Sequence, residues 1–114
     1  MAFFIQSTSQ VQKTFIPGTY TAISPISITS TVGGVEVLAA SDNPKYVILN
    51  VSGEECFLSI GGTPTDSAYS LKLKPGDMIV DWLIYNQALK AITASGKTAT
   101  IQIQTASLQA INVG

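Results

Sequence analysis

Residues 45–82 read KYVILNVSGEECFLSIGGTPTDSAYSLKLKPGDMIVDW, and this stretch contains the patterns of two β-hairpins. The first hairpin turns at residues 52–55, where Ser, Gly and two Glu residues interrupt the apolar pattern. Apolar residues occupy every second position on both sides of that turn: Val47, Leu49, Val51, Cys56, Leu58 and Ile60. A period of two beside turn residues is typical of paired, half-buried strands. We therefore expect two antiparallel strands that share one buried face.

The second hairpin is centred on Lys74-Pro75-Gly76-Asp77. Pro presets the backbone at the first central position of a type II turn, and Gly accepts the positive φ of the second. Alternating apolar residues stand on both sides of the turn: Leu71, Leu73, Met78, Val80 and Trp82. Four short strands are therefore predicted within residues 45–82.

The rest of the chain continues this pattern of short strands. Residues 20–30 alternate, but Pro25 cannot donate a ladder hydrogen bond, so this strand should lie at a sheet edge or break there. Further strands are predicted at 35–39, 90–94, 98–105 and 108–113, whereas 82–89 looks like a connection with at most one helical turn. Seven to nine short strands predict an all-β fold, an antiparallel β-sandwich or jelly roll, formed as one domain by residues 20–114.

Residues 1–19 are predicted to form an N-terminal arm. Four large apolar residues lie there outside the alternating strands: Phe3, Phe4, Ile5 and Phe15. The sequence leaves three alternatives open, namely an arm disordered in isolation, one packed on its own domain, and one ordered against a partner. Because exposed aromatic residues lower solubility, these four residues are the candidate partner-binding residues of the arm.

Composition narrows the possible functions. Charged residues make up 11% of the 114 residues, well below the roughly 25% of an average soluble domain. Such a surface tolerates close contact with other proteins. All six basic residues are lysines, the net charge is −1, and there is no histidine. These features argue against nucleic-acid binding and remove the commonest general base of enzymes.

No arrangement of reactive residues predicts catalysis or a cofactor. Asp77 and Asp81 lie about 13 Å apart along a strand, too far for a glycosidase pair. No cluster of metal-ligating residues and no phosphate-binding loop is present in the sequence. The single cysteine, Cys56, is expected to be a small buried hydrophobe, with a reactive or intermolecular role as the alternative. The sequence therefore predicts a protein that is not an enzyme and holds neither metal nor cofactor.

No signal peptide or membrane span is evident, because the apolar run at 3–5 is short and uncharged polar residues follow it at once. We therefore expect a protein that is used in the cytoplasm where it is made or is released only by lysis.

Residues 45–104 resemble small all-β virion proteins of tailed bacteriophages. The motifs that carry the resemblance are KYVILN at 45–50, CFLSIGG at 56–62, LKPGD at 73–77, KAITASG at 90–96 and TIQI at 100–103. The resemblance implies a capsid cement or decoration protein on the virion surface, made in the host cytoplasm. Its implied partner is the major capsid protein or another virion protein, and it implies a homotrimer.

An alternative function is a tail or tail-fibre module that binds a host glycan or receptor. Aromatic faces suit sugar rings, so the candidate stacking residues are Tyr69, Trp82 and Tyr85. The competing interpretation of each is packing in the core or in an interface.

Overall fold

The computed structural model describes residues 12–113, which form ten β-strands and, within that range, no helix. The predicted all-β fold is therefore confirmed. The strands are β1 Gln12–Pro17, β2 Thr21–Ala22, β3 Ile26–Ile28, β4 Val35–Leu38, β5 Lys45–Ser52, β6 Cys56–Ile60, β7 Leu71–Leu73, β8 Met78–Ile84, β9 Leu89–Ile92 and β10 Ala99–Val113.

Two antiparallel sheets make up the fold. In the large sheet, β10 lies between β5 on one side and, on the other, β3, β2 and β1 in succession, while β8 pairs with the far side of β5. The small sheet has the order β4-β9-β6-β7. The eight strands β3 to β10 thus follow the jelly-roll order, with β3-β10-β5-β8 facing β4-β9-β6-β7. This matches the β-sandwich of jelly-roll type that the sequence predicts.

The core lies between the two sheets and is built from alternate residues of the strands. Val47 and Leu49 of β5 are completely buried, as are Leu58 of β6 and Ile101 and Ile103 of β10. Burying one such side chain contributes roughly 1.5–3 kcal/mol. The period-two pattern of the sequence therefore identifies the face that stabilises the sandwich.

The two hairpins predicted within residues 45–82 are wrong, because β5 and β6 lie in different sheets and so do β7 and β8. The turns at 52–55 and 74–77 therefore connect the two sheets and do not join paired strands. The turn between β7 and β8 nevertheless has the predicted backbone geometry. The Asp77 amide donates a hydrogen bond of 2.9 Å to the Lys74 carbonyl, and Gly76 has a φ of 92°. In addition, the Asp77 carboxylate accepts a bond of 2.8 Å from the Lys74 amide. The turn is therefore closed by backbone and side chain together.

The structure corrects the prediction for residues 82–89. Strand β8 continues to Ile84, so residues 82–84 belong to a strand and not to a connection. Met78 and Val80 lie on the side of β8 opposite to Trp82, although the predicted alternation put all three on one side. The cause is a bulge in β8, where Asp81 has a φ of 53° and the register with β5 shifts. An extra residue reverses the alternation, which hides the strand from a period-two pattern.

Two further predictions concern the first and the last strands of the predicted domain. Residues 20–30 break at Pro25 into β2 and β3, as predicted, and both pair with β10. The segments 98–105 and 108–113 form one strand, β10, of 15 residues. Beyond Ser107, the sole pairing partner of this strand within the described part of the chain is β1, and we call residues 12–17 and 108–113 the terminal ribbon.

The terminal ribbon extends the jelly roll in one direction. A strand of 15 residues spans about 50 Å, and the longest dimension of the molecule is 66 Å. The part of the predicted arm that the structure describes is thus largely β1, paired with the last part of β10. Phe3, Phe4 and Ile5 lie outside the described residues.

Candidate protein-binding site

The large sheet has a second apolar side, which faces away from the small sheet. Register places Tyr46 opposite Leu83 and Asn50 opposite Met78, one residue out of phase with the buried positions of β5. We call this side the outer face. Its apolar and aromatic residues are Phe15, Tyr20, Tyr46, Ile48, Met78, Val80 and Leu83.

Three apolar side chains of the outer face are more than half exposed. The exposed fractions are 60% for Met78, 56% for Val80 and 51% for Phe15. Met78 and Val80 are two residues apart on β8, so their side chains are neighbours on the same side of the strand. Large apolar side chains grouped at a surface point to contact with another molecule.

A hydrogen bond crosses the outer face. The Tyr20 hydroxyl donates to the Asp81 carboxylate at 2.5 Å, although Tyr20 precedes β2 and Asp81 lies in β8, with β10 and β5 between them. Burial, the hydrogen bond to Asp81 and the negative charge of that carboxylate together raise the pKa of Tyr20 to about 12. The bulge at Asp81 aims the carboxylate for this contact, and Asp tolerates a positive φ better than most residues.

Tyr46 ties the terminal ribbon to the jelly roll. Its hydroxyl donates a hydrogen bond of 3.2 Å to the carbonyl of Phe15 in β1. In the ladder Tyr46 stands opposite Ala106 of β10, whose side chain is buried on the outer face. The outer face therefore continues from β8 across the sheet to the first strand of the ribbon.

The three predicted stacking residues do not share one surface. Trp82 stands opposite Val47 and packs against the core between the sheets. Tyr69 precedes β7 and is not part of a strand, and its ring centroid is 5.0 Å from that of Phe57 in β6. Tyr85 follows the end of β8 and is 62% exposed. Of the three, Tyr85 is thus the most accessible to a ligand.

The acidic residues considered for catalysis have structural partners. The Asp77 carboxylate closes the β7–β8 turn, and the Asp81 carboxylate accepts a hydrogen bond from Tyr20. The bulge in β8 also interrupts the regular strand from which the separation of the two aspartates was predicted. Glu55 forms an exposed ion pair of 3.7 Å with Lys72. A shallow cleft of about 390 Å³ beside Glu55 is lined by two acidic and two basic residues, whose charges offset each other: Glu54, Glu55, Lys74 and Lys97.

Cys56 is completely buried, as expected, and has no disulfide partner. Burial, followed by the nearby charge of Glu55, raises the pKa of its thiol to about 11. At neutral pH the residue is therefore a thiol and not the thiolate that reacts as a nucleophile.

Within residues 12–113, no group of three or more His, Cys, Asp and Glu residues is placed to hold a metal ion. The same range contains no helix with the length and apolar character needed to cross a bilayer. Comparisons with protein-family models, with curated proteins and with solved structures found no match to this chain.

Sequence reasoning did not identify the outer face as a site. The hydrogen bond between Tyr20 and Asp81 joins residues 61 positions apart, and no local sequence pattern predicts it. One signal was available in β5, where Tyr46 and Ile48 make the second side of the strand apolar as well. A strand that is apolar on both sides is usually covered on both sides.

Proposed function

We propose that this protein is a non-enzymatic structural component of a bacteriophage particle, a cement or decoration protein on the capsid surface. The observation that carries the proposal is the outer face, which exposes Phe15, Met78 and Val80 beside two tyrosines. Aromatic residues and Met are enriched at the centres of protein interfaces, where charged residues are depleted. A surface of this composition suits a protein partner.

The fold and the resemblance of residues 45–104 to accessory virion proteins give further support. Jelly rolls are frequent among viral capsid domains, although a fold alone does not determine a function. The low charge of the chain, 11% of its residues, is compatible with a surface that is covered in an assembly.

In the proposed mechanism, the outer face lies on the major capsid protein or another virion protein, across a junction between capsomers. The terminal ribbon, about 20 Å long at six residues per strand, reaches from that contact toward a neighbouring subunit. Each copy adds buried area between shell subunits. Many weak contacts acting together raise the work that is needed to rupture the shell.

The copy number of the protein in purified particles tests this role. A cement protein covers the whole shell, so hundreds of copies per particle are expected in quantitative mass spectrometry. A dozen copies or fewer would exclude the role, because a few copies cannot reinforce a shell.

A pair of variants tests the outer face directly. Met78→Ser with Val80→Ser shortens both exposed side chains without changing the charge, and should weaken binding to particles that lack the wild-type protein by at least about tenfold. Val32→Ser is the matched control, because Val32 is 96% exposed but lies in the β3–β4 connection, outside the outer face. Equal binding by both variants would mean that the outer face is not the contact.

A second candidate function is recognition of a host glycan by a tail module. The exposure of Tyr85 favours it, since the following Asn86 and Gln87 bring amide groups to the same loop and line a small depression there. Aromatic rings with nearby amides suit sugars, and lectins also use jelly rolls. Binding on a glycan array that Tyr85→Ala abolishes without unfolding would support this function. Trp82→Ala is a poorer test, because Trp82 packs against the core.

A further inference from the structure

Among residues 12–113, the terminal ribbon consists of two strands, and both expose apolar side chains. Ile16 of β1 is 39% exposed and Ile111 of β10 is 38% exposed. Two-stranded antiparallel pairs are marginally stable in water, and a third strand or a covering surface is normally needed. A further strand could pair with either edge of the ribbon, along β1 or along β10.

The direction of the backbone groups identifies the open positions. The Gly18 amide donates to the Ser107 carbonyl at 2.9 Å, so the odd residues of β10 direct their backbone groups toward β1. Neighbouring residues of an antiparallel strand point to opposite sides. Leu108, Ala110 and Asn112 therefore direct their amides and carbonyls to the other side, which β5 covers only as far as Ser107.

The two edges of the ribbon differ. On the β1 edge, Pro17 has no amide hydrogen, the Phe15 carbonyl already accepts the Tyr46 hydroxyl, and Lys13 adds a charge. Proline and lysine are residues that protect edge strands from pairing. The β10 edge reads LQAINV at 108–113 and contains neither a charge nor a proline. The ribbon thus has one protected edge and one unprotected edge.

We propose that the β10 edge binds the same edge of a second copy of this chain. The two strands pair antiparallel across a two-fold axis at Ala110, with Leu108 of each copy opposite Asn112 of the other. This register matches the open amides to open carbonyls and forms about six main-chain hydrogen bonds. Because each copy has one unprotected edge, the contact is self-complementary and closes as a dimer. The ring of three that the resemblance implies needs two different complementary surfaces on each copy.

Charge and area set the strength of this contact. The two Lys13 positions would lie on the outermost strands, three strand spacings or about 14 Å apart, so like charges do not meet. An edge of six residues is a strip about 20 Å long and about 10 Å wide, whereas stable interfaces bury about 1,200–2,000 Å² in total. We therefore expect a reversible dimer with a dissociation constant between about 10 μM and 1 mM.

Sedimentation equilibrium of the purified full chain, from micromolar to millimolar concentration, tests the proposal independently of any role in a virion. The expected mass rises from 12.0 kDa toward twice that value. Ala110→Pro removes the amide on the axis but none of the bonds to β1, and should keep the protein monomeric. Ala110→Lys places two like charges on the axis and should do the same if the proline variant distorts the ribbon. Lys13→Pro is the matched control on the protected edge and should still form the dimer.

Several results would overturn the proposal. They are a wild-type chain that stays monomeric to 1 mM, a limiting mass of three chains, or an Ala110→Lys variant that dimerises as well as the wild type. A deletion of residues 1–11 that strengthens dimerisation would also contradict it, because the edge would then be occupied by that segment of the same chain.

Discussion

The hydrogen bond from Tyr20 to Asp81 connects the start of β2 with β8, across the intervening strands β10 and β5. A Tyr20→Phe variant should therefore be measurably less stable. The bond is short, 2.5 Å, and its acceptor is a carboxylate. Hydrogen bonds to charged groups contribute about 1.5–3 kcal/mol when buried. Asp81 is exposed, and water competes for it, so we expect a loss of about 1 kcal/mol. For a domain of this size that corresponds to about 4 °C in melting temperature.

Urea denaturation of four proteins measures this contribution: the wild type, Tyr20→Phe, Asp81→Asn and the double variant. Asn is preferred for Asp81 because it also tolerates the φ of 53° at this position, whereas Ala would add backbone strain. In the double-mutant cycle, Asp81→Asn should cost little once the Tyr20 hydroxyl is absent. Tyr85→Phe is the matched control, since it removes the same atom from an exposed tyrosine.

The pH dependence gives a second readout of the same bond. The pKa of Tyr20 is raised from 10.0 to about 12 in the folded protein. The stabilisation is therefore present below pH 10 and is lost as the pH rises toward 12, because the unfolded chain releases the proton first. Tyrosinate absorbance should show Tyr20 titrating late, and Asp81→Asn should reduce that delay without abolishing it, because burial is the largest cause of the raised pKa. Additive single variants together with normal titration of Tyr20 would refute the reasoning.

Three further predictions concern the core and the chain end. Burial raises the pKa of Cys56 from an ordinary value of 9.0 to about 11. Between these pH values the free energy of unfolding of the wild type should therefore fall by up to about 3 kcal/mol more than that of Cys56→Ala; an equal pH dependence of the two proteins in urea denaturation would contradict this. Deleting residues 1–16 should leave a folded domain that no longer binds its particle, because every residue of the buried core cluster lies at Ile28 or beyond. The melting temperature measures the folding, and recovery on particles that lack the wild-type copy measures the binding; full binding would mean that the anchor lies outside residues 1–16. Leu58→Ala should cost about 2–5 kcal/mol in urea denaturation, and a loss below about 1 kcal/mol would mean that the site collapses around the cavity.

The sandwich could be predicted because its strands are buried on one side in a regular alternation. Val47, Leu49 and Val51 are all core residues, and the turn at 74–77 has the geometry that Pro and Gly imply. These features are local, because each one depends on a few residues that are neighbours in the sequence. The strand order could not be predicted from these local features, because the turns at 52–55 and 74–77 connect strands of different sheets and not paired neighbours.

The outer face could not be predicted, because its assembly depends on contacts between distant parts of the chain. The bulge at Asp81 shifts the alternation of β8 by one residue, so Trp82 and Ile84 face the core in a segment that looks irregular. The small residues Ala106 and Ser107 look like a gap between two strands, yet β10 runs through them. The partner of Tyr20 lies 61 residues away, and only the curvature of the assembled sheet brings the two groups together.

The position of β10 has a consequence for how the protein is made on the ribosome. Chains emerge from the N-terminus, so β1, β2 and β3 are synthesised first, yet the strand with which all three pair is the last of the ten. Their backbone groups have no strand of the sheet to bond until residues 99–113 have emerged. The large sheet therefore cannot form before β10 has been translated, and its long-range pairing should make folding slow. During that interval the apolar side chains of β1 are open to chaperones, and a chain interrupted before Ala99 cannot complete the sheet.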